Sequence, residues 1–301
     1  MRLILKRRFV KESDRGENNK IISRPLFGQD IRSFWFFALA VVLVMSMMSC
    51  VVTIAIDAIQ TDLAGSADTA MVERMAKMGI QVPQMDPSVI LDTMYYKVIV
   101  LIPIFLLVVA ASNALIAAQV DDGSMAYILS TPTERGAVAF THMVFMLLVP
   151  LVVTGIVCGV KCVLNEQIAG DADVAATVVK FAGMYVLVEA VAAICYLGSC
   201  LFNHNSRALT FGGGITVWCF IASLLGVFGS DKLVEMGVGI EQLDIFNQLT
   251  LVGLLDITAM ETVGSDAVNY DFVWKLGVLA GVAVVAYGVG ALRFRKKDLP
   301  L

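Results

Sequence analysis

Gln119-Val-Asp-Asp-Gly-Ser-Met-Ala-Tyr-Ile-Leu-Ser-Thr-Pro-Thr-Glu-Arg-Gly136 is a short polar hairpin set between two long apolar runs. Asp121, Asp122 and Ser124 are cap-type residues, able to satisfy the free N–H groups at a helix start. Met125, Ile128 and Leu129 fall at i, i+3 and i+4 and make one apolar stripe. Ser130-Thr131-Pro132 ends the helix, because the residue before a proline is pushed out of the α region. Thr131 then caps the next helix, Pro132 takes its first position, and Glu134 closes a capping box. The pattern specifies a separate helix of about two turns over residues 122–130, presenting an apolar stripe to the cytosol.

The chain outside this hairpin is apolar on a scale that excludes a soluble domain. Of 301 residues, 58% are hydrophobic and 16% charged, so an integral membrane class follows before any motif is read. Six spans take roughly 140 residues. What is left cannot hold a soluble nucleotide-binding domain, which needs about 200. The six cysteines, Cys50, Cys158, Cys162, Cys195, Cys200 and Cys219, all lie in apolar runs, where cysteine behaves as a small hydrophobe.

Residues Met1 to Ser33 carry nine Lys or Arg. Leu3, Ile4, Leu5, Phe9 and Val10 are interleaved with Arg2, Lys6, Arg7 and Arg8, a composition suited to an amphipathic helix on an anionic leaflet. Nucleic acid is not expected as a partner beside a membrane span. Phe34 to Ile56 is the first span, 23 residues without a charge. The others are read over 98–118, 137–164, 176–202, 208–228 and 272–292, so that the transmembrane domain occupies 34–301. Outside segments fall at 57–96, 165–173 and 229–271. Met71, Met75 and Met78 suggest a short helix in the first, and Leu243, Phe246, Leu249, Val252 and Leu255 suggest short helices in the third. The expected fold is an all-α integral membrane protein with six transmembrane helices and small helical extracellular segments. Pro150 is expected to kink the third span. Gly212-Gly213-Gly214 is expected to allow close approach or local unwinding in the fifth.

Charge sets the orientation. Segments assigned inside hold fifteen of the 22 Lys and Arg, and outside segments hold seventeen of the 26 acids. Both termini are then cytoplasmic, and the hairpin with them. The acidic outer face would attract cationic amphiphiles. Glu189 is the one carboxylate deep in the apolar zone, about 12 Å below a membrane surface, and is read as a hydrogen-bonded helix contact or part of a transport route. No Ser-His-Asp layout, His-Glu-x-x-His motif or Gly-Lys pair occurs, and two histidines cannot build a metal centre alone. The chain reads as a non-enzyme with no catalytic, cofactor or metal residues.

The stretch Asp122-Gly123-Ser124-Met125-Ala126-Tyr127-Ile128-Leu129-Ser130-Thr131-Pro132-Thr133-Glu134-Arg135 resembles the coupling-helix region of ABC-2-type transporter permeases. Phe294-Arg295-Lys296-Lys297-Asp298-Leu299-Pro300-Leu301 resembles the tail often found in that family, and the six-span layout agrees. The resemblance implies a permease subunit driven by a separate cytosolic ATPase, with ATP and Mg bound on that partner and no cofactor on this chain. It implies contact through Met125, Ile128 and Leu129, with Tyr127 as aromatic anchor and Asp121, Asp122, Glu134 and Arg135 as polar rim. It also implies a second permease copy or paralogue, a prokaryotic cell membrane, and export of an amphipathic peptide, drug or lipid. Two other readings stay open: an ion-gradient-driven carrier in which Glu189 titrates, and a membrane sensor or scaffold.

Overall fold

The computed structural model describes residues 22–65, 87–130, 135–168, 174–229, 240–261, 263 and 270–297, almost wholly as helix and with no strand among them. Helix α1, Arg24–Gly65, runs for 42 residues. Pro25 sits in its first turn, where the missing N–H costs nothing. Residues 24–33, expected to belong to a surface segment, are instead the opening turns of the first span. Leu26 and Asp30 are buried there, 6% and 2% exposed, which gives those turns partners inside the bundle. Arg2, Lys6, Arg7, Arg8 and the Met71–Met78 stretch lie outside the described residues.

The second span, α2, covers Leu91–Asp121 and is entered through a helical turn at Pro87–Met94. It contains two π turns, Tyr95–Ile99 and Asn113–Ala117. The first has a local cause. Pro103 cannot donate to the carbonyl of Ile99 and its ring crowds that oxygen. The chain responds just before it with a wider turn, in which Val100 N–H donates to Tyr95 O at 3.0 Å. Next come the short α3, Ser124–Ser130, and the long α4, Arg135–Ile168, which continues through Pro150. The hydroxyl of Thr154 donates to Pro150 O at 2.7 Å, inside the stretch that the proline loosens. Helices α5, Val174–Leu201, and α6, Asn205–Phe228, follow.

Between α6 and the last span the chain forms the short helices α7, Ile245–Leu249, and α8, Ile257–Glu261, with 3₁₀ turns at Glu241–Asp244 and Val252–Leu254. Val252, Leu255 and Met260 are at most 1% exposed, so this segment folds back onto the bundle. Asp256 is held there by Lys275 at 2.8 Å. Burial pushes its carboxyl up, but Lys275 and the Ala259 N–H outweigh burial and hold it below the usual range. Helix α9, Asp271–Lys296, ends the described chain.

Six helices, α1, α2, α4, α5, α6 and α9, are long and apolar enough to cross a membrane. The central one is α5, with 67% of its apolar stretch enclosed against 28% for α1 and α9. Small residues let its neighbours approach. The glycine run 212–214 does not unwind. Helix α6 is continuous through it, and a Cβ at Gly212 would come within 3.1 Å of the Cα of Cys195 on α5, whereas Gly214 has open space around it. All six cysteines are free thiols.

Gly212→Leu should therefore lower thermal stability by about 1–3 kcal/mol through overpacking against α5. Gly214→Leu should leave the unfolding temperature in detergent close to the parent's. Equal effects at both positions would contradict the close α5–α6 approach.

Candidate functional site

The hairpin is built on one residue in a left-handed conformation. Gly123 has φ 73°, the single positive-φ residue among those described, and it turns the chain between α2 and α3 at no steric cost. Ser124 does not cap α3 as its type suggests. Its hydroxyl donates to Gln119 O at 3.2 Å, while Ala126 N–H reaches Gly123 O. Asp122 is exposed.

The expected apolar stripe is divided. Met125 is 2% exposed and packs into the bundle core, so it anchors α3 to its own protein and offers no surface to a partner. Its assignment to a partner contact is corrected accordingly. The position two residues on faces the other way: Tyr127 is 81% exposed. Ile128 and Leu129 belong to the same helix, and their side chains lie outside the description, as does Glu134.

Both flanks of α3 are tied to distant parts of the chain. Asp121, the last residue of α2, receives the N–H of Asn205 on Oδ2 at 3.1 Å and lies 3.2 Å from His204 Nδ1 on Oδ1. It caps α6 rather than its own hairpin, placing a carboxylate at the positive end of that helix. Asn113, in the second π turn, donates its amide N–H to Asn205 Oδ1. On the other flank Arg135 Nη1 donates to the carbonyl of Lys297 at 3.0 Å, and Lys297 Nζ donates to Phe202 O at 2.6 Å. Burial pushes the Lys297 ammonium below its ordinary pKa. Gly136 packs against the Arg295 side chain. The short helix therefore sits in a frame made by the ends of α2, α4, α6 and α9. The tail motif and the turn Asn203–Asn205, separate features in the sequence, meet in this frame.

Glu189 lies fifteen residues into α5, about 22 Å along it and near the middle of the span. It is 5% exposed. Its Oε2 accepts a hydrogen bond from Tyr287 of α9 at 2.9 Å, while Oε1 has no partner among the described residues. Tyr185, one turn away, donates to Leu147 O of α4 at 3.3 Å. The carboxylate thus joins the two most closely packed spans.

Further buried polar groups escape a reading based on carboxylates alone. Asp30 of α1 and His142 of α4 pair at 3.0 Å, with side chains 3% and 0% exposed. At the opposite face, Lys180 of α5 binds Asp92 at 2.6 Å and Glu261 of α8 at 3.4 Å. Lys161 of α4 donates to Thr53 of α1 at 2.8 Å. A signal was present: each of these lysines stands inside an otherwise apolar run. Among the described residues no group of three or more His, Cys, Asp or Glu could hold a metal ion.

Six apolar helices, one of them enclosed by the others, with a framed hairpin at one face, define a multi-pass membrane protein. The chain matches the family model of ABC-2 family transporter proteins over residues 22–299 and belongs to that family. It is thus a membrane permease of an ABC transporter, a class of subunit that works with an ATPase. No curated protein and no solved structure matches the chain.

Asp121→Ala should remove the cap on α6 and loosen its first turn. Faster amide exchange over residues 203–206 is the expected readout, with Asp122→Ala unchanged. Equal exchange in both variants would mean the Asp121–Asn205 contact carries no load.

Proposed function

We propose that the chain is the permease subunit of an exporter, and that a separate cytosolic ATPase docks on α3. Tyr127 carries this reading. An aromatic side chain 81% exposed on a seven-residue helix, with Met125 rooted beneath it, is an anchor presented on a fixed base. Ile128 and Leu129 follow Tyr127 in the sequence as the further apolar contacts of this reading, with Asp121, Asp122, Glu134 and Arg135 as its polar rim. ATP and Mg bind on the partner, and closure of two ATPases pushes two such helices. The complex contains a second permease, a copy or a paralogue. Both termini are cytoplasmic in a prokaryotic cell membrane, consistent with the Lys and Arg concentrated at that face. The cargo is an amphipathic peptide, drug or lipid.

Tyr127→Asp tests the docking. It should strip the ATPase from the detergent-solubilised complex while leaving the permease folded, with loss of at least about tenfold in affinity. Met125→Asp is the wrong probe, since it places a charge in the core and destabilises the permease itself. Undiminished co-purification of the Tyr127 variant, with Ile128→Asp and Leu129→Asp equally silent, would sink the assignment.

A second reading keeps Glu189 on the transport route, or makes it the titrating group of an ion-driven carrier. The unpartnered Oε1 at mid-membrane favours a role beyond packing. Glu189→Gln preserves size and the bond to Tyr287 but removes the titratable proton. On a route role, export by the variant falls and loses its pH dependence between pH 6 and 8. Export equal to the parent's across that range makes Glu189 a link between α5 and α9 alone.

A further inference from the structure

Two lysines are enclosed at the face opposite the termini, and they are held very differently. Lys180 has a full set of partners: Asp92 at 2.6 Å, Glu261 at 3.4 Å and the ring of Tyr96 at 5.6 Å. Lys161 is 2% exposed, yet among the described residues no carboxylate comes within 4 Å of it. Its ammonium donates to Thr53 Oγ1 at 2.8 Å and stands 4.8 Å from the centre of the Tyr95 ring. An ammonium has three donors, and Thr53 uses one. Asp92 acts on it only from beyond salt-bridge distance and is itself held by Lys180, so Lys161 has no direct ion-pair partner among the described residues, a costly arrangement for a buried charge.

The surroundings are arranged for a cation. Thr53 passes its own proton to Ser49 O at 2.8 Å, so its lone pair is turned toward Lys161. Ser49 in turn is hydrogen-bonded to the Tyr95 hydroxyl. The first π turn of α2 brings Tyr95 and Tyr96 inward side by side beneath the two lysines.

Depth points to the ligand. Lys161 lies 26 residues along α4 from Arg135, about 39 Å, whereas a hydrocarbon core is about 30 Å thick. A lysine at that level ordinarily snorkels to the headgroups; this one turns into the bundle. Exposure rises along the cluster, from 2% at Lys161 through side-chain values of 8% at Lys180 and 18% at Asp92 to 44% at Glu261. That gradient marks an approach from the headgroup side.

We propose that Lys161, with Lys180 beside it, binds an anionic phosphate-type group at the level of the outer headgroups. Thr53 and the Tyr95 face orient the ammonium toward the incoming oxygens, and Asp92 keeps Lys180 from closing over it. Charge-assisted bonds to phosphate oxygens supply the direct partner that Asp92, held by Lys180, does not give. The site requires only the permease, so its test is separate from docking of the ATPase.

Three probes separate the sources of the phosphate: dihexanoyl phosphatidylglycerol for a lipid, dodecyl phosphate for an anionic amphiphile, and inorganic phosphate for a free ion. Each is titrated into the purified full-length chain in a neutral detergent and followed by thermal unfolding, with dodecyltrimethylammonium as the cationic comparator. At least one of the three should raise the unfolding temperature saturably in the parent and in Lys161→Arg. Lys161→Met should weaken that binding at least about tenfold, and Lys275→Met, whose cation belongs to Asp256, should not. Lys161→Gln serves as a second neutral variant should the methionine one fail to fold. Response to inorganic phosphate at equal affinity identifies a free anion; response to an amphiphile alone identifies a headgroup. Either supports the site. A folded parent with no saturable response to any of the three overturns it. So does an unchanged response in a folded neutral variant, which would make Lys161 an uncharged packing residue.

Discussion

Within a bilayer an unpaired carbonyl, carboxylate or ammonium has no water to turn to, so its partner must come from the protein. The arrangement of this chain follows from that constraint. Hydroxyls inside the spans return to their own helix four residues back, as Ser49 does to Met45, Thr141 to Ala137 and Thr216 to Gly212. Ionisable groups are joined between helices at three depths. Asp30 meets His142 near the termini, Glu189 meets Tyr287 at mid-membrane, and Lys180 meets Asp92 at the far face. Two of the three links involve α5, the most enclosed of the spans.

The spans were legible because hydrocarbon demands a long uninterrupted apolar run, and each such run overlaps one of the six long helices. Their ends were less so. Asp30 was assigned to the segment before the first span, yet it lies within a helix and has a partner across the bundle, whereas Lys161 and Lys180 fell inside the spans as read but their partners did not show. Sequence periodicity records only neighbours along the chain, and these partners are between 88 and 112 residues away. The π turns were equally hidden. Pro103 signals that something must yield, but not whether the helix will kink or widen.

The hairpin was legible as a helix, but the facing of Met125 was not. Met125, Ile128 and Leu129 do share a stripe by spacing, but spacing alone does not say whether a stripe meets the molecule's own core or a partner. Burial of Met125 decides that question for one residue, and exposure of Tyr127 for another. The capping residues show the same limit. Asp121 is a cap, as its type demands, but of a helix that begins 84 residues later.

That choice of helix has a mechanical consequence. One carboxylate ends α2 and begins α6, and one backbone carbonyl joins the start of α4 to the end of α9. Force applied at α3 therefore has two short load paths, each a single hydrogen-bonded joint, and each joint divides the load between two spans. The ends of four of the six spans, α2, α4, α6 and α9, meet at these two joints. Helix α1 joins this set through α4, by Ser23 to Thr141 and Asp30 to His142.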